Sequence, residues 1–315
     1  MELKNRGVIR VPNIFESPAV AVSNFEAELE ARISALALQA VEDCFAGEVR
    51  LMSLSGPTCA GKTTAATKLT EGLRARGCAV HIVSLDDFYY DHDTLHRMAE
   101  ENGGELDYDS VNVMDLPLLK SCIDGLMEEG YAEVPVYDFE NGTNHRRRVI
   151  KAEKGCRNIY FFEGIQAVYP EISPLLSRYE SRSMFISVMR SIDVGGVIFS
   201  SEDIRLCRRI VRDADRRGAT PDFTLSLWNG VRANEESAIF PYAHKCDYFA
   251  DTTLGYELHL LCPYLVPLLR SVPNTCAEWE KAQYLLSKME AVEGISSSLL
   301  PDNSLYHEFI TPVVS

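Results

Sequence analysis

The segment Gly56-Pro-Thr-Cys-Ala-Gly61-Lys62-Thr63 fits the spacing G-x-x-x-x-G-K-[ST]. Such a loop must curl around a phosphate so that successive main-chain N–H groups point inward. Gly56 and Gly61 permit the turn and a close backbone approach. A helix beginning near Lys62 aims its positive dipole end at the same phosphate. Lys62 then reaches the β- and γ-phosphates, and the Thr63 hydroxyl binds Mg²⁺. Gly56, Pro57, Thr58, Cys59, Ala60, Gly61, Lys62, Thr63 and Thr64 are the expected nucleotide cradle. The bland alternative is a glycine turn before an ordinary helix. The context decides against it, because Val49 to Ser53 reads as a strand and Thr63 to Arg76 as a helix.

Phosphoryl transfer needs oxygen ligands for a metal and a carboxylate to take a proton from the attacking hydroxyl. Acids occur where those strands should end. Asp86-Asp87 follows a second strand-like run, Ala79 to Leu85, and Glu163 ends a third, Asn158 to Phe162. Ligands of open parallel sheets collect at such carboxyl ends. Asp86 is the expected base, and Thr63, Asp86 and Glu163 the expected metal shell. Asp87 is read as a turn-capping acid.

The elements that must hold these groups alternate. Phe25 to Phe45 carries an apolar stripe of helical period, with Ser23 or Asn24 as its cap. Residues 1–24 read as an irregular or strand-like lead. Asp86 to Leu106 reads as a polar loop over the site. Asp115 to Met127 is a short helix, Val134 to Phe139 a strand, and Arg147 to Ala152 a hairpin arm. Ser183 to Met189 is a fourth core strand. Ser201 to Arg217 and Pro221 to Asn234 are helices, Asp247 to Asp251 a last strand, and Tyr256 to Ser271 and Thr275 to Val292 helices. Strands alternating with helices predict an α/β fold of P-loop NTPase type. It has three layers around a mostly parallel central sheet, with helical extensions at both ends. The expected divisions are residues 1–46 as a lead and helix packed on the core, 47–255 as the kinase domain, and 256–315 as a helical extension.

Composition bounds the function. The 315 residues are 46% hydrophobic, enough for a sizeable core. A formal charge of −15 argues against nucleic acid or an anionic membrane as the main partner. Nine cysteines without C-x-x-C spacing suit reduced thiols in a cytoplasmic setting. Met1 to Asn13 lacks the apolar centre of a signal peptide, and Leu258 to Leu269 is too short to span a bilayer. Whether the chain forms a homo-oligomer is left open.

Several stretches carry a resemblance. Ser84-Leu-Asp86-Asp-Phe88-Tyr89 is similar to the S-x-D-x-F-Y of the uridine kinase and phosphoribulokinase family. Pro135-Val-Tyr137-Asp138-Phe139 resembles its P-x-Y-D-F, and Phe162-Glu163-Gly164-Ile165 its F-E-G-I. Arg205-Leu-Cys-Arg208-Arg209-Ile-Val-Arg212-Asp213 resembles its lid segment. Order and spacing agree over roughly residues 50–255. Trp228-Asn-Gly-Val231-Arg232 and the tail Pro301 to Ile310 resemble a bacterial nucleoside-kinase branch.

The resemblance implies an ATP- and Mg²⁺-dependent kinase acting on the 5′-hydroxyl of uridine or cytidine. Asp86 would deprotonate that hydroxyl. Tyr89 and Tyr137 would flank the nucleoside, and Asp107 would grip the ribose. The family places a base-reading His five residues after the tyrosine, where this chain has Gly142; His145 is the nearest substitute. His145-Arg146-Arg147-Arg148 is richer in cations than a neutral nucleoside needs. It is either a solvated hairpin edge or, with Arg146, a grip on a substrate phosphate, as in a sugar-phosphate kinase. Arg205, Arg208, Arg209 and Arg212 recur at three- and four-residue steps and form the expected triphosphate-closing face. A non-catalytic ATP-binding regulator is the remaining alternative. No N-K-x-D guanine motif is present. His92 and His96 lack a third ligand, Cys59 reads as a small filler, and Trp228 and Trp279 as packing residues.

Overall fold

The computed structural model describes residues 6–101 and 110–311. The first half comprises β1 (Val8–Val11), α1 (Pro18–Ala46), β2 (Leu51–Ser55), α2 (Lys62–Ala75), β3 (Ala79–Ser84), α3 (His92–Glu101) and α4 (Leu116–Asp124). It continues through the hairpin β4 (Tyr131–Asp138) and β5 (Thr143–Lys151), then β6 (Asn158–Glu163), α5 (Ser173–Leu176) and β7 (Ser181–Ser187). A second hairpin follows, β8 (Ser191–Val194) and β9 (Val197–Phe199), then α6 (Ser201–Arg217), α7 (Pro221–Asn234) and α8 (Phe240–Ala243). β10 (Tyr248–Asp251), α9 (Glu257–Arg270) and α10 (Trp279–Met289) are the last strand and α-helices among the described residues.

Among the described residues the central sheet is five-stranded, in the order β10-β7-β2-β6-β3. Every pair in it is parallel. Strand side chains alternate between faces, and each face meets its own core. Met52 and Leu54 of β2, with Ile159 and Phe161 of β6, pack towards α1, α2, α6 and α9. Leu51, Tyr160 and Phe162 pack on the other side with α4 and the first hairpin. Strands buried on both faces need continuous apolar runs, and β2 is buried throughout. From β2 the chain crosses over β6 to reach β3, while β7 and β10 lie on the opposite side. The order therefore reverses at β2, and the crevice beyond its carboxyl end is the switch point.

Several elements depart from the sequence reading. α1 begins at Pro18, not near Phe25, because proline suits the first helical position and Ala19 to Val22 continue the turn without a breaker. The stretch read as a polar loop contains α3. Asp91 Oδ1 accepts from Thr94 N at 2.8 Å, and Leu95 and Ala99, four residues apart, are buried. β8 and β9 were not anticipated. Gly195 and Gly196, at φ 56° and 97°, form their tight turn, and β8 pairs in parallel with β1. Asp107 lies outside the described residues.

The lead, α1, α9, α10 and the tail share one apolar core with the sheet, from Val11 through Leu29 and Leu265 to Ile310. None of the helices among the described residues is long and apolar enough to cross a membrane.

Candidate active site

The loop after β2 is shaped by contact as well as by turn geometry. A Cβ on Gly56 would lie 2.1 Å from the Ile186 carbonyl oxygen of β7, so no larger residue fits. Gly61 has φ 82° and Cys59, unusually for a non-glycine, φ 58°. Five of the loop's carbonyls accept side-chain hydrogen bonds. Lys62 Nζ donates to Gly56 O at 3.0 Å and Pro57 O at 3.3 Å. Arg205 Nη1 reaches Thr58 O at 3.5 Å, and Arg208 Nη1 donates to Cys59 O at 3.1 Å. Thr252 Oγ1 donates to Ala60 O at 2.7 Å. A planar trans peptide points its N–H opposite to its carbonyl, so the Thr58, Cys59 and Ala60 carbonyls, drawn towards α6 and Thr252, turn the amides that follow them the other way. That is an anion cradle at the N-terminus of α2.

This arrangement corrects the reading of the arginine helix. Arg205 and Arg208 do not face a triphosphate; both are buried. Arg205 pairs with Glu235 through two bonds of 2.5 and 2.7 Å. Arg208 donates from Nε to Glu257 at 2.7 Å and from Nη2 to Thr252 O at 2.9 Å. Its guanidinium also lies 5.6 Å from the Tyr306 ring centre and 5.4 Å from that of Phe309. Burial opposes the charge of Arg208, but adjacent Glu257 outweighs it and holds the guanidinium above its usual pKa. Burial likewise opposes Glu235's charge, and Arg205 and Arg232 overcome it, leaving Glu235 below the usual carboxylate range. Helical spacing brings these arginines to one side of α6, and the partners on that side come from remote helices.

Arg209 and Arg212, turned away from that packing, do line a cavity of about 340 Å³ beside Lys62 and Asp86. Arg217, which the sequence reading passed over, joins them. Asp213, 4% exposed, pairs with all three: 3.3 Å to Arg209, 2.8 Å to Arg212 and 3.4 Å to Arg217. It gathers their positive charge into one patch. A capping box, Asp203 N to Ser200 Oγ at 3.1 Å and its reciprocal bond at 3.0 Å, fixes the start of α6.

The acids sit opposite. Glu163 is the register partner of Ser84 at the ends of β6 and β3, and Asp86 lies in the turn Leu85–Phe88 just beyond. Gln166, 1% exposed, donates from Nε2 to Asp86 Oδ1 at 2.9 Å and to the Tyr89 hydroxyl at 2.7 Å. It fixes both groups at once, and no local sequence signal singled it out. Its position depends on Gly164, where a Cβ would come within 2.8 Å of Leu85 Cβ. Burial raises Glu163 above the usual carboxylate range, against a hydrogen bond from Ser84; nearby Asp86 adds to the rise. Burial also lowers the pKa of Lys62, while Glu308, Asp86 and Glu163 oppose the shift.

Asp87 does more than cap a turn. Its Oδ1 accepts from Tyr137 N at 3.0 Å and so anchors β4 to the sheet end. Tyr137 then packs edge-on to Tyr89 with ring centres 5.9 Å apart, and to Phe139 at 4.8 Å. Tyr89 and Phe139 form an aromatic wall of the cavity.

His145 and Arg146 are not among the residues lining it. Both are exposed on the hairpin. Arg148 donates to Ile82 O at 2.8 Å, and Arg146 is 4.0 Å from Asp138. Gly142 is shielded differently: a Cβ there would lie 2.4 Å from the His92 ring. Among the described residues no group of three or more His, Cys, Asp or Glu could cage a metal. A phosphate-bridging Mg²⁺ needs less, one or two carboxylates with phosphate oxygens and water. Thr63, Asp86 and Glu163 offer hard oxygen atoms of that kind beside the cradle.

A phosphate loop at the switch point of a parallel sheet, faced by acids and by gathered arginines, defines a P-loop kinase site. The profile of the Phosphoribulokinase / Uridine kinase family matches residues 51–252, and the chain belongs to that family. It is 31% identical over 190 residues to uridine-cytidine kinase C of Dictyostelium discoideum, covering 60% of this chain and 35% of that one. The chain thus spans about a third of that relative's length. It is 27% identical to uridine kinase of Clostridium novyi over 58% of this chain and 76% of the relative. A solved structure of a putative fructose transport system kinase from Silicibacter sp. aligns with a TM-score of 0.49 at 19% identity. That alignment covers 69% of this chain and 98% of the other.

Proposed function

We propose that the chain transfers the γ-phosphoryl group of ATP to the 5′-hydroxyl of a pyrimidine ribonucleoside, uridine or cytidine. One observation carries the reading. Asp86, oriented by Gln166, opens onto the same cavity as Lys62, Arg209 and Arg212. A hydroxyl held there meets a carboxylate on one side and the phosphate cradle on the other.

The amides of the loop and Lys62 bind the donor's phosphates. Tyr89 and Phe139 offer flat apolar surface to a nucleobase, with Tyr137 packed against both. Asp86 accepts the hydroxyl proton as the nucleophile advances. Arg209, Arg212 and Arg217 neutralise charge on the equatorial and leaving oxygens, and they are already oriented by Asp213. Thr63, Asp86 and Glu163 would hold Mg²⁺, which would supply charge neutralisation for the donor's phosphates. Most of the rate gain then comes from positioning and electrostatics.

A phosphorylated acceptor finds less support, because the exposed arginines of the hairpin engage Asp138 or main-chain carbonyls and do not line the cavity. Acceptor-dependent ADP release, measured with uridine, cytidine and ribulose 5-phosphate, tests the reading. Turnover with either nucleoside supports it. Turnover confined to the sugar phosphate, or ATP binding without turnover on any acceptor, rejects it.

A further inference from the structure

The phosphate cradle opens onto two cavities, and the kinase reading uses one. The second, of about 520 Å³, lies between the first turns of α2 and the tail segment 302–308. Thr63, Thr64 and Thr67 line it from the helix, and Asn303, Leu305 and His307 from the tail. Glu308 borders both cavities. Its Oε2 is buried and accepts no hydrogen bond. The tail is firmly seated. Arg216 donates to the His307 and Ile310 carbonyls at 2.9 and 3.1 Å, and Tyr306 is wholly buried with its hydroxyl on Glu257. All of this segment lies beyond the residues matched by the family, 51–252.

In-line transfer sets nucleophile and leaving group on opposite sides of the phosphoryl group. With the acceptor in the cavity of Asp86, the donor's nucleoside must leave the cradle by the other side. We propose that the groove between α2 and the tail holds the nucleoside end of the donor triphosphate, the tail forming one of its walls. This rests on the kinase reading above. Leu305 is the one aliphatic side chain among the groove's lining residues; hydroxyl, amide, imidazole and charged groups supply the rest. Recognition therefore runs through hydrogen bonds. The Glu308 carboxylate, at the junction of the two cavities, is the acceptor offered to a ribose hydroxyl, and the Asn303 amide meets the edge of the base.

The test compares ATP with inorganic tripolyphosphate, which engages the cradle alone, by calorimetry on the full chain. Thr67 is exposed on α2, so Thr67→Trp fills the groove without entering the core. Asn303→Ala removes a tail contact at an exposed position. Thr67→Trp is expected to raise the Kd for ATP at least about tenfold and Asn303→Ala about threefold, with tripolyphosphate unchanged within about twofold. Unchanged ATP affinity in both variants overturns the proposal. So does equal loss of both ligands in Thr67→Trp with no effect of Asn303→Ala. The wild-type protein separates the readings: turnover of a nucleoside upholds the kinase reading whatever the variants show.

Discussion

Arg208 Nη1 donates to the Cys59 carbonyl at 3.1 Å while Nε holds Glu257 at 2.7 Å. One buried guanidinium thus couples the phosphate loop to α9 and, through Tyr306 and Phe309, to the tail. Arg208→Met strands Glu257, and loss of one partner of a buried pair costs about 3–5 kcal/mol. Urea denaturation is expected to show a fall of that size. In the double variant Arg208→Met, Glu257→Gln most of the stability should return. ATP affinity should stay about tenfold weak, because Cys59 O still lacks its donor. Recovery of both together would assign Arg208 to packing alone.

Asp86→Asn keeps the shape of the side chain and removes its basicity. The expected result is a fall in kcat of about 10²–10⁴ with ATP affinity within a few-fold of wild type. Steady-state kinetics alongside nucleotide titration checks it, and an enzyme of normal kcat transfers the role of base elsewhere.

Gln166 orients Asp86 and Tyr89 without facing the transferred group. Gln166→Leu is expected to lower kcat about tenfold to a hundredfold, the cost of a misplaced reacting group. Gln166→Glu serves as the comparison, since a carboxylate there cannot donate to Asp86 without first being protonated. The pH–rate profile of this variant should shift towards acid, a change that loss of packing alone would not produce.

Glu163 gives the site a pH signature. Its pKa is raised in the folded chain by burial, so the native state binds its proton more tightly than the unfolded state does. Its favourable contribution is complete below the ordinary glutamate value of about 4.3, and is lost as pH rises through the folded value. Glu163→Gln is therefore expected to raise Tm relative to wild type near neutrality. The gain should shrink on acidification to about pH 4, while activity falls. Thermal melts across that interval decide the matter, and a gain independent of pH assigns the effect to packing.

The hairpin arginines provide a contrast. Arg146→Gln combined with Arg147→Gln should leave the acceptor KM unchanged within about twofold, because both side chains are exposed and off the cavity lining, where solvent and salt screen their charge. A large rise in KM would return the hairpin cations to the acceptor site.

The parts legible in the sequence are those whose chemistry is local. The cradle from Gly56 to Thr63 announces itself because consecutive residues must supply consecutive amides. Glu163 stands out because it ends the buried run of β6, and Asp86 because it follows the strand-forming run of β3. α3 escaped because its polar face outnumbers Leu95 and Ala99. The division of the arginines could not be read either. Three- and four-residue steps place Arg205, Arg208, Arg209 and Arg212 near one another on α6, but Glu235, Glu257 and Tyr306 decide which of them are buried. Gln166 and Glu308 arrive from turns whose placement depends on the whole sheet.

The wedge of Tyr306 and Phe309 around Arg208 has a bearing on how the protein is made. Ribosomes deliver a chain from its N-terminus, so the cradle emerges long before the aromatic pair that steadies its clamp. Until then Arg208 lacks part of its cover, and the anchoring of Cys59 stays incomplete. Competence to grip nucleotide should thus arise only once the segment carrying Tyr306 and Phe309 has been made, and not with the kinase core alone.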